Sequence, residues 1–302
     1  MNLLSFNNIS KLYGKTVALK NVNLSFNEYC IVGLVGPNGA GKTTLFRLVM
    51  NLINPSSGSI EIMNQKIRSD TIGHYVSYCS DGDNLYDDLT VGENLEFIVR
   101  AYGTPDGNRK IKELSSLMSI DKEFNTPVKN LSKGMRKKVA IIRTLINQTP
   151  IIIMDEPMSW LDIDNQKQLA ALLKKLSQTS LIIISSHNIY QIEKMCKKIV
   201  ILNQEIKFFD DIKNIDYGNL MKIKIEFEKG SYRSGLKEEL NKVEGVIEVQ
   251  IENETLTIEY DRRYSNVERK IIPLVIQKYE LRISKINYIE KGLEDLYFDR
   301  VR

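Results

Sequence analysis

Short, wholly apolar runs punctuate the first two thirds of this chain, at residues 30–35, 151–154 and 181–185. Each is too short for a buried helix and is rich in β-branched residues, which predicts strands buried on both faces of a parallel sheet. Helical spacing follows at 42–52 and 165–177. A further helical stretch at 94–117 is interrupted by Gly103-Thr104-Pro105. From residue 3 to about 209 this alternation predicts an α/β fold on a largely parallel sheet.

The pattern changes after Asp210. Residues 222–228 alternate as a strand, and 236–243 read as a short helix. Strands at 246–251 and 256–260 flank the turn Glu252-Asn253-Glu254, a helix spans 267–278, and a strand spans 281–289. The order β-α-β-β-α-β predicts a small ferredoxin-like α+β sandwich. Asp, Asn and Gly gather at 212–219, so the boundary is placed there, giving an N-terminal domain over 1–214 and an accessory domain over 215–302.

Composition narrows the class. The 302 residues are 42% hydrophobic and 26% charged, ordinary for a folded globular protein. No run nears the roughly 18 apolar residues needed to cross a bilayer, and the N-terminus lacks the plan of a secretion signal. Cys30, Cys79 and Cys196 lie far apart with no Cys-x-x-Cys pair, which favours a reduced cytoplasm over disulfides or zinc. The net charge of +4 is spread among interleaved acids and bases, so no footprint for nucleic acid is expected.

Chemistry enters at Gly36-Pro37-Asn38-Gly39-Ala40-Gly41-Lys42-Thr43, which fits G-x-x-x-x-G-K-[ST] between an apolar strand and a helix. Glycines let main-chain N–H groups turn inward around phosphate oxygens, and the helix offers its positive end to the same anion. Lys42 is expected on the β- and γ-phosphates, Thr43 on Mg²⁺ and Thr44 on the α-phosphate. The strand at 151–154 delivers Asp155 and Glu156 to its C-terminal edge, where α/β sheets bind ligands. Asp155 suits a Mg²⁺ ligand, direct or through water, and Glu156 suits the general base that polarises the attacking water.

A phosphate loop alone is shared by kinases, GTPases and helicases. Leu131-Ser132-Lys133-Gly134-Met135, ending some twenty residues before Asp155, resembles the Leu-Ser-Gly-Gly-Gln signature of ABC ATPases. Ser132 also suits a helix N-cap. Tyr13 resembles that family's adenine-stacking aromatic, Ser159-Trp160-Leu161-Asp162 the loop that touches the opposing subunit, and His187 the histidine that contacts the γ-phosphate. The resemblance covers residues 1 to about 210. It implies that two ATPase domains pack head to tail, each ATP lying between one phosphate loop and the opposite Ser132 and Gly134. It implies further that the partner ATPase is a copy of this chain, a related chain being the alternative. Both would sit on the inner face of the cell membrane through a separate membrane permease.

Departures accompany the match. Asp81 stands where the family has glutamine; it keeps an oxygen for Mg²⁺ but loses the amide donor. Lys133 and Met135 replace a glycine and the glutamine of the signature, and Lys133 is expected to face solvent. Near the C-terminus, Lys291-Gly292-Leu293-Glu294-Asp295-Leu296-Tyr297-Phe298 resembles the tail of ATPases of the ABC-2 exporter group. That resemblance implies export of a peptide, drug or similar amphipathic cargo. Two alternatives stand beside it: a regulatory or immunity ATPase with low turnover, and a non-transport member of the family.

Overall fold

In a computed structural model the described residues are 2–215, 219–230, 232, 234–264, 266–290 and 292–301. They form two compact units, one of residues up to 215 with 300–302, the other of 216–299.

In the first unit, β1 (Leu4–Tyr13) and β2 (Thr16–Phe26) make an antiparallel hairpin, and β3 (Ile31–Val35) leads into α1 (Lys42–Val49). Next come β4 (Ser57–Ile62), β5 (Val76–Cys79), and the helices α2 (Val91–Tyr102), α3 (Gly107–Leu117) and α4 (Lys133–Leu145). The unit continues with β6 (Ile151–Met154), α5 (Ile163–Leu176), β7 (Leu181–Ser185) and α6 (Ile189–Met195). It ends with β8 (Lys198–Asn203) and β9 (Glu205–Asp211).

Two sheets result. One has the order β5-β6-β7-β3-β8-β9, parallel except for the edge strand β9. The other, β2-β1-β4, is antiparallel throughout. A shared core closes around α1, joining Leu45, Phe46 and Val49 to Phe6 and Leu24 of one sheet and Leu34 and Ile183 of the other. The phosphate loop therefore sits at the C-terminal ends of the parallel strands, on a helix fixed from both sides.

The runs at 151–154 and 181–185 form strands with the expected bounds, wholly buried and parallel to one another. The antiparallel sheet was not anticipated. Its alternation is broken by bulges: the register shifts between Phe6 and Ile9, where Asn8 turns to φ 51°, and Asn21 on β2 turns to φ 47°. A bulge inserts one residue and moves the apolar period from two to three, which hides the strand from a search for strict alternation. The helix expected at 42–52 ends at Val49.

In the second unit, β10 (Leu220–Phe227), α7 (Leu236–Leu240), β11 (Val246–Glu252), β12 (Thr255–Asp261), α8 (Val267–Pro273), β13 (Ile283–Glu290) and α9 (Leu293–Val301) follow in sequence. The sheet order β11-β12-β10-β13, with every pairing antiparallel, is that of a ferredoxin-like sandwich. Ile223, Ile225 and Phe227 of β10 point inward against Leu236, Leu240 and Ile271 of the helices. The helix expected over 267–278 changes character midway. Pro273 has no N–H to donate, and the backbone widens into a π turn at Leu274–Lys278. Residues 216–218, within the boundary region, and Lys291, first of the tail motif, lie outside the described residues. Among the described residues no helix is long and apolar enough to cross a membrane.

Candidate active site

The loop after β3 closes as a cradle because Gly41 adopts φ 100° directly before α1. A Cβ there would meet Ala18 O at 2.6 Å, so no other residue fits without moving β2. The Lys42 ammonium, 8% exposed, donates to Gly36 O at 2.6 Å and Pro37 O at 3.0 Å. Burial pulls its pKa below the ordinary lysine range, while Glu156 and Asp155 pull it back up.

A chain of hydrogen bonds joins the loop to the strand ends. The Thr43 hydroxyl donates to Asp155 Oδ2 at 2.9 Å. The Ser185 hydroxyl, fully buried at the end of β7, donates to Asp155 Oδ1 at 2.5 Å and accepts from the Glu156 N–H at 2.9 Å. Ser185 thus orients the carboxylate of one residue and the main chain of the next. Glu156 needs that hold, since its φ of 48° lies in the left-handed region that a glutamate adopts at a cost of about 1–3 kcal/mol.

The Glu156 carboxyl is pushed above its ordinary range. Burial raises its pKa, Asp155 and Asp81 add to the rise, and His187 and Lys42 oppose it. His187 Nε2 lies 3.3 Å from Glu156 Oε1, an ion-pair distance. The angle does not make it a hydrogen bond, and Oε1 is buried without any hydrogen-bond donor. Glu156 lines the same cradle as Lys42, where a carboxylate is suited to orient water.

One cavity of about 290 Å³ gathers Asn38, Gly39, Ala40, Gly41, Lys42, Thr43, Thr44, Asp81, Asp155, Glu156 and His187. Gly36 and Pro37 meet Lys42 through their carbonyls. Asp81, exposed on the loop after β5, faces the same cavity as the two strand-end carboxylates.

Tyr13, Ser132 and Gly134 do not line it. Tyr13 ends β1, 47% exposed, with the Lys11 ammonium 5.1 Å from its ring centre. Ser132 caps α4, accepting from the Met135 N–H at 3.3 Å. Gly134 packs so closely on the 159–162 loop that a Cβ would meet Trp160 O at 2.7 Å. Lys133 is exposed, and its ammonium sits 5.0 Å from the centre of the exposed Trp160 ring, a cation–π pair.

Comparison with known proteins decides the family. Residues 19–159 match the ABC transporter family model. The Nod factor export ATP-binding protein I of Cupriavidus metallidurans is 31% identical over 206 residues, 67% of this chain and 68% of that protein. This chain belongs to the ATP-binding proteins of ABC transporters. Other curated relatives are longer, and the chain spans 58–64% of the length of several. An uncharacterised ABC transporter ATP-binding protein of Bacillus subtilis, YhaQ, is 27% identical over 99% of this chain and 98% of its own. A dimeric ATP-binding cassette solved in a post-hydrolysis state with ADP and Pi superposes with a TM-score of 0.65 at 27% identity, over 70% of this chain and 100% of its own.

Two residues of the site escape a motif search. Ser185 was visible only as a neighbour of His187, and Lys137, which donates to Asp155 O at 3.1 Å, only as one of three bases after the signature.

Proposed function

We propose that this subunit hydrolyses MgATP in a head-to-tail pair of its own copies and drives export of an amphipathic cargo, such as a peptide or drug, through a separate membrane permease. The observation that carries the hydrolytic reading is the continuous chain Thr43–Asp155–Ser185–Glu156, which fixes the Asp155 carboxylate and the Glu156 main chain at the phosphate cradle. The donor set also fits Mg²⁺, a hard cation that takes oxygen ligands. Thr43 Oγ1 and Asp155 Oδ2 lie side by side at 2.9 Å, with Asp81 on the same wall. Bound there, Mg²⁺ would neutralise charge developing on the β- and γ-phosphates.

The protein's own residues then have distinct tasks. Main-chain N–H groups of the loop and the α1 N-terminus hold the phosphates, and Lys42 supplies a point charge to the β- and γ-phosphates, with Thr44 on the α-phosphate. Glu156 orients water for in-line attack, and His187, beside it, meets the γ-phosphate. Tyr13 stacks on adenine. Ser132 and Gly134, at the start of α4 and outside this cavity, serve the nucleotide of a second copy. Export as the direction is supported by the names of relatives, among them Nod factor export proteins, and by the resemblance of the 291–298 tail to exporter ATPases.

A second reading, a regulatory ATPase with low turnover, is favoured by Asp81, which adds a third carboxylate to the cavity where the family carries a neutral amide. Steady-state ATPase assays of the wild type and Glu156→Gln separate the two. The transport reading expects clear MgATP turnover that falls about 10²–10⁴-fold in the variant. Wild-type turnover no faster than Glu156→Gln would favour the regulatory reading.

A further inference from the structure

Lys137 lies at the start of the second turn of α4, its side chain turns inward, and the residue is only 3% exposed. Its ammonium donates to Asp155 O at 3.1 Å and to Ser80 O at 3.3 Å. Both acceptors are main-chain carbonyls at strand ends, one just past β6 and one just past β5. A buried cation costs far more than an apolar side chain unless it is hydrogen-bonded or offsets nearby charge. Here it is hydrogen-bonded, and the strand end it grips carries Asp155 and Glu156.

The preceding residue points the other way and grips the same loop. Arg136 donates to Asp83 Oδ2 at 2.5 Å and Oδ1 at 3.0 Å, and to Asp87 Oδ1 at 2.6 Å. Ser80 and Asp83 bracket Asp81, which lines the phosphate cavity. The turn of α4 capped by Ser132 is therefore tied to the end of β6 through Lys137 and to both sides of Asp81 through Lys137 and Arg136.

We propose that Lys137 is a positioning residue for hydrolysis: it locks the Asp155–Glu156 peptide and the Asp81 loop to helix α4. The carboxylates with which a protomer attacks its own ATP then move together with the Ser132 turn that it offers to its partner. This deepens the reading of the site given above and rests on it. Lys137 touches no substrate. Its effect is on where Glu156 and Asp81 stand, which governs the rate of attack rather than the capture of nucleotide.

The test uses the full chain with Lys137→Met, which removes both donors, and Lys137→Gln, which loses the charge but keeps an amide donor. Nucleotide affinity is read with a fluorescent ATP analogue in Mg²⁺, kcat and KM from steady-state ATPase, and Tm from thermal melting. The expected result for Lys137→Met is a kcat at least 10-fold lower per folded molecule, with analogue Kd within 3-fold of wild type. Lys137→Gln should recover to within about 5-fold of wild-type kcat but not reach it. If Lys137→Met does not fold, Lys137→Gln decides: a kcat equal to wild type overturns the proposal. So does a lower Tm with kcat per folded molecule unchanged in either variant. If the wild type itself shows no MgATP turnover, the hydrolytic reading beneath the proposal fails instead.

Discussion

The residue that organises the site is Ser185, and its role follows from what surrounds it. Fully buried, it gives its only proton to Asp155 and receives the N–H of Glu156, so one hydroxyl sets two successive residues. Ser185→Ala leaves a buried N–H and a buried carboxylate oxygen each short of a partner. The stability loss should be about 1–3 kcal/mol, and kcat should fall more than KM rises, because Glu156 would lose the bond that holds its left-handed backbone. Thermal melting and steady-state ATPase check both; an unchanged kcat would show that Glu156 holds its place without Ser185. The difference between what was legible and what was not is physical at this scale. Lys42, Thr43, Asp155 and Glu156 act through local backbone, a loop before a helix and the end of a strand, and such geometry is written in consecutive residues. Ser185 and Lys137 act across strands 30 and 18 positions away from Asp155, where spacing along the chain says nothing.

Among elements, α4 carries the most consequence. Ser132 caps it, Gly134 lets it approach Trp160, and Arg136 clasps the loop after β5 through Asp83 and Asp87. The Arg136 hydrogen bond is the largest of the influences that depress the Asp83 carboxyl below its ordinary range. The sign follows directly. A depressed carboxylate pKa stabilises the fold above the ordinary aspartate value, and that contribution is lost as pH falls through the depressed one. The side chains of Arg136 and Asp83 are 22% and 24% exposed, so solvent weakens the pair, and about 1 kcal/mol is a reasonable worth for it. Asp83→Asn should lower Tm at neutral pH by a few degrees and shrink the loss of stability on acidification. Melting curves across pH 7 to 3 measure this; an identical pH dependence in wild type and variant would remove Asp83 as its source. Elements of the parallel sheet were legible because burial on both faces makes their strands continuous apolar runs. The antiparallel sheet was not, because the bulges at Asn8 and Asn21 interrupt its period.

On the scale of the whole molecule, the two compact units differ in how chemistry is distributed. The phosphate cavity and its carboxylates belong to the first, which the family model matches over residues 19–159. The second presents a closed apolar core under a four-stranded sheet, with Lys222, Lys224 and Glu226 of β10 alternating outward. The ferredoxin-like order was legible there because β10 and β12 keep a clean alternation of buried and part-exposed positions, although β11 and β13 carry register shifts. Ser132 and Gly134 lie outside the cavity that holds Lys42, and under the proposed function they serve the nucleotide of a second protomer. ATP should therefore join two copies, and cleavage of its γ-phosphate should release them.

Sedimentation of purified Glu156→Gln protein, with and without MgATP, tests this most directly. A shift from monomer to dimer that requires MgATP, and that Ser132→Arg abolishes while nucleotide still binds each monomer, is the predicted result. A protein that stays monomeric at saturating MgATP, or dimerises equally with Ser132→Arg, would contradict a site shared between Lys42 of one copy and Ser132 of the next.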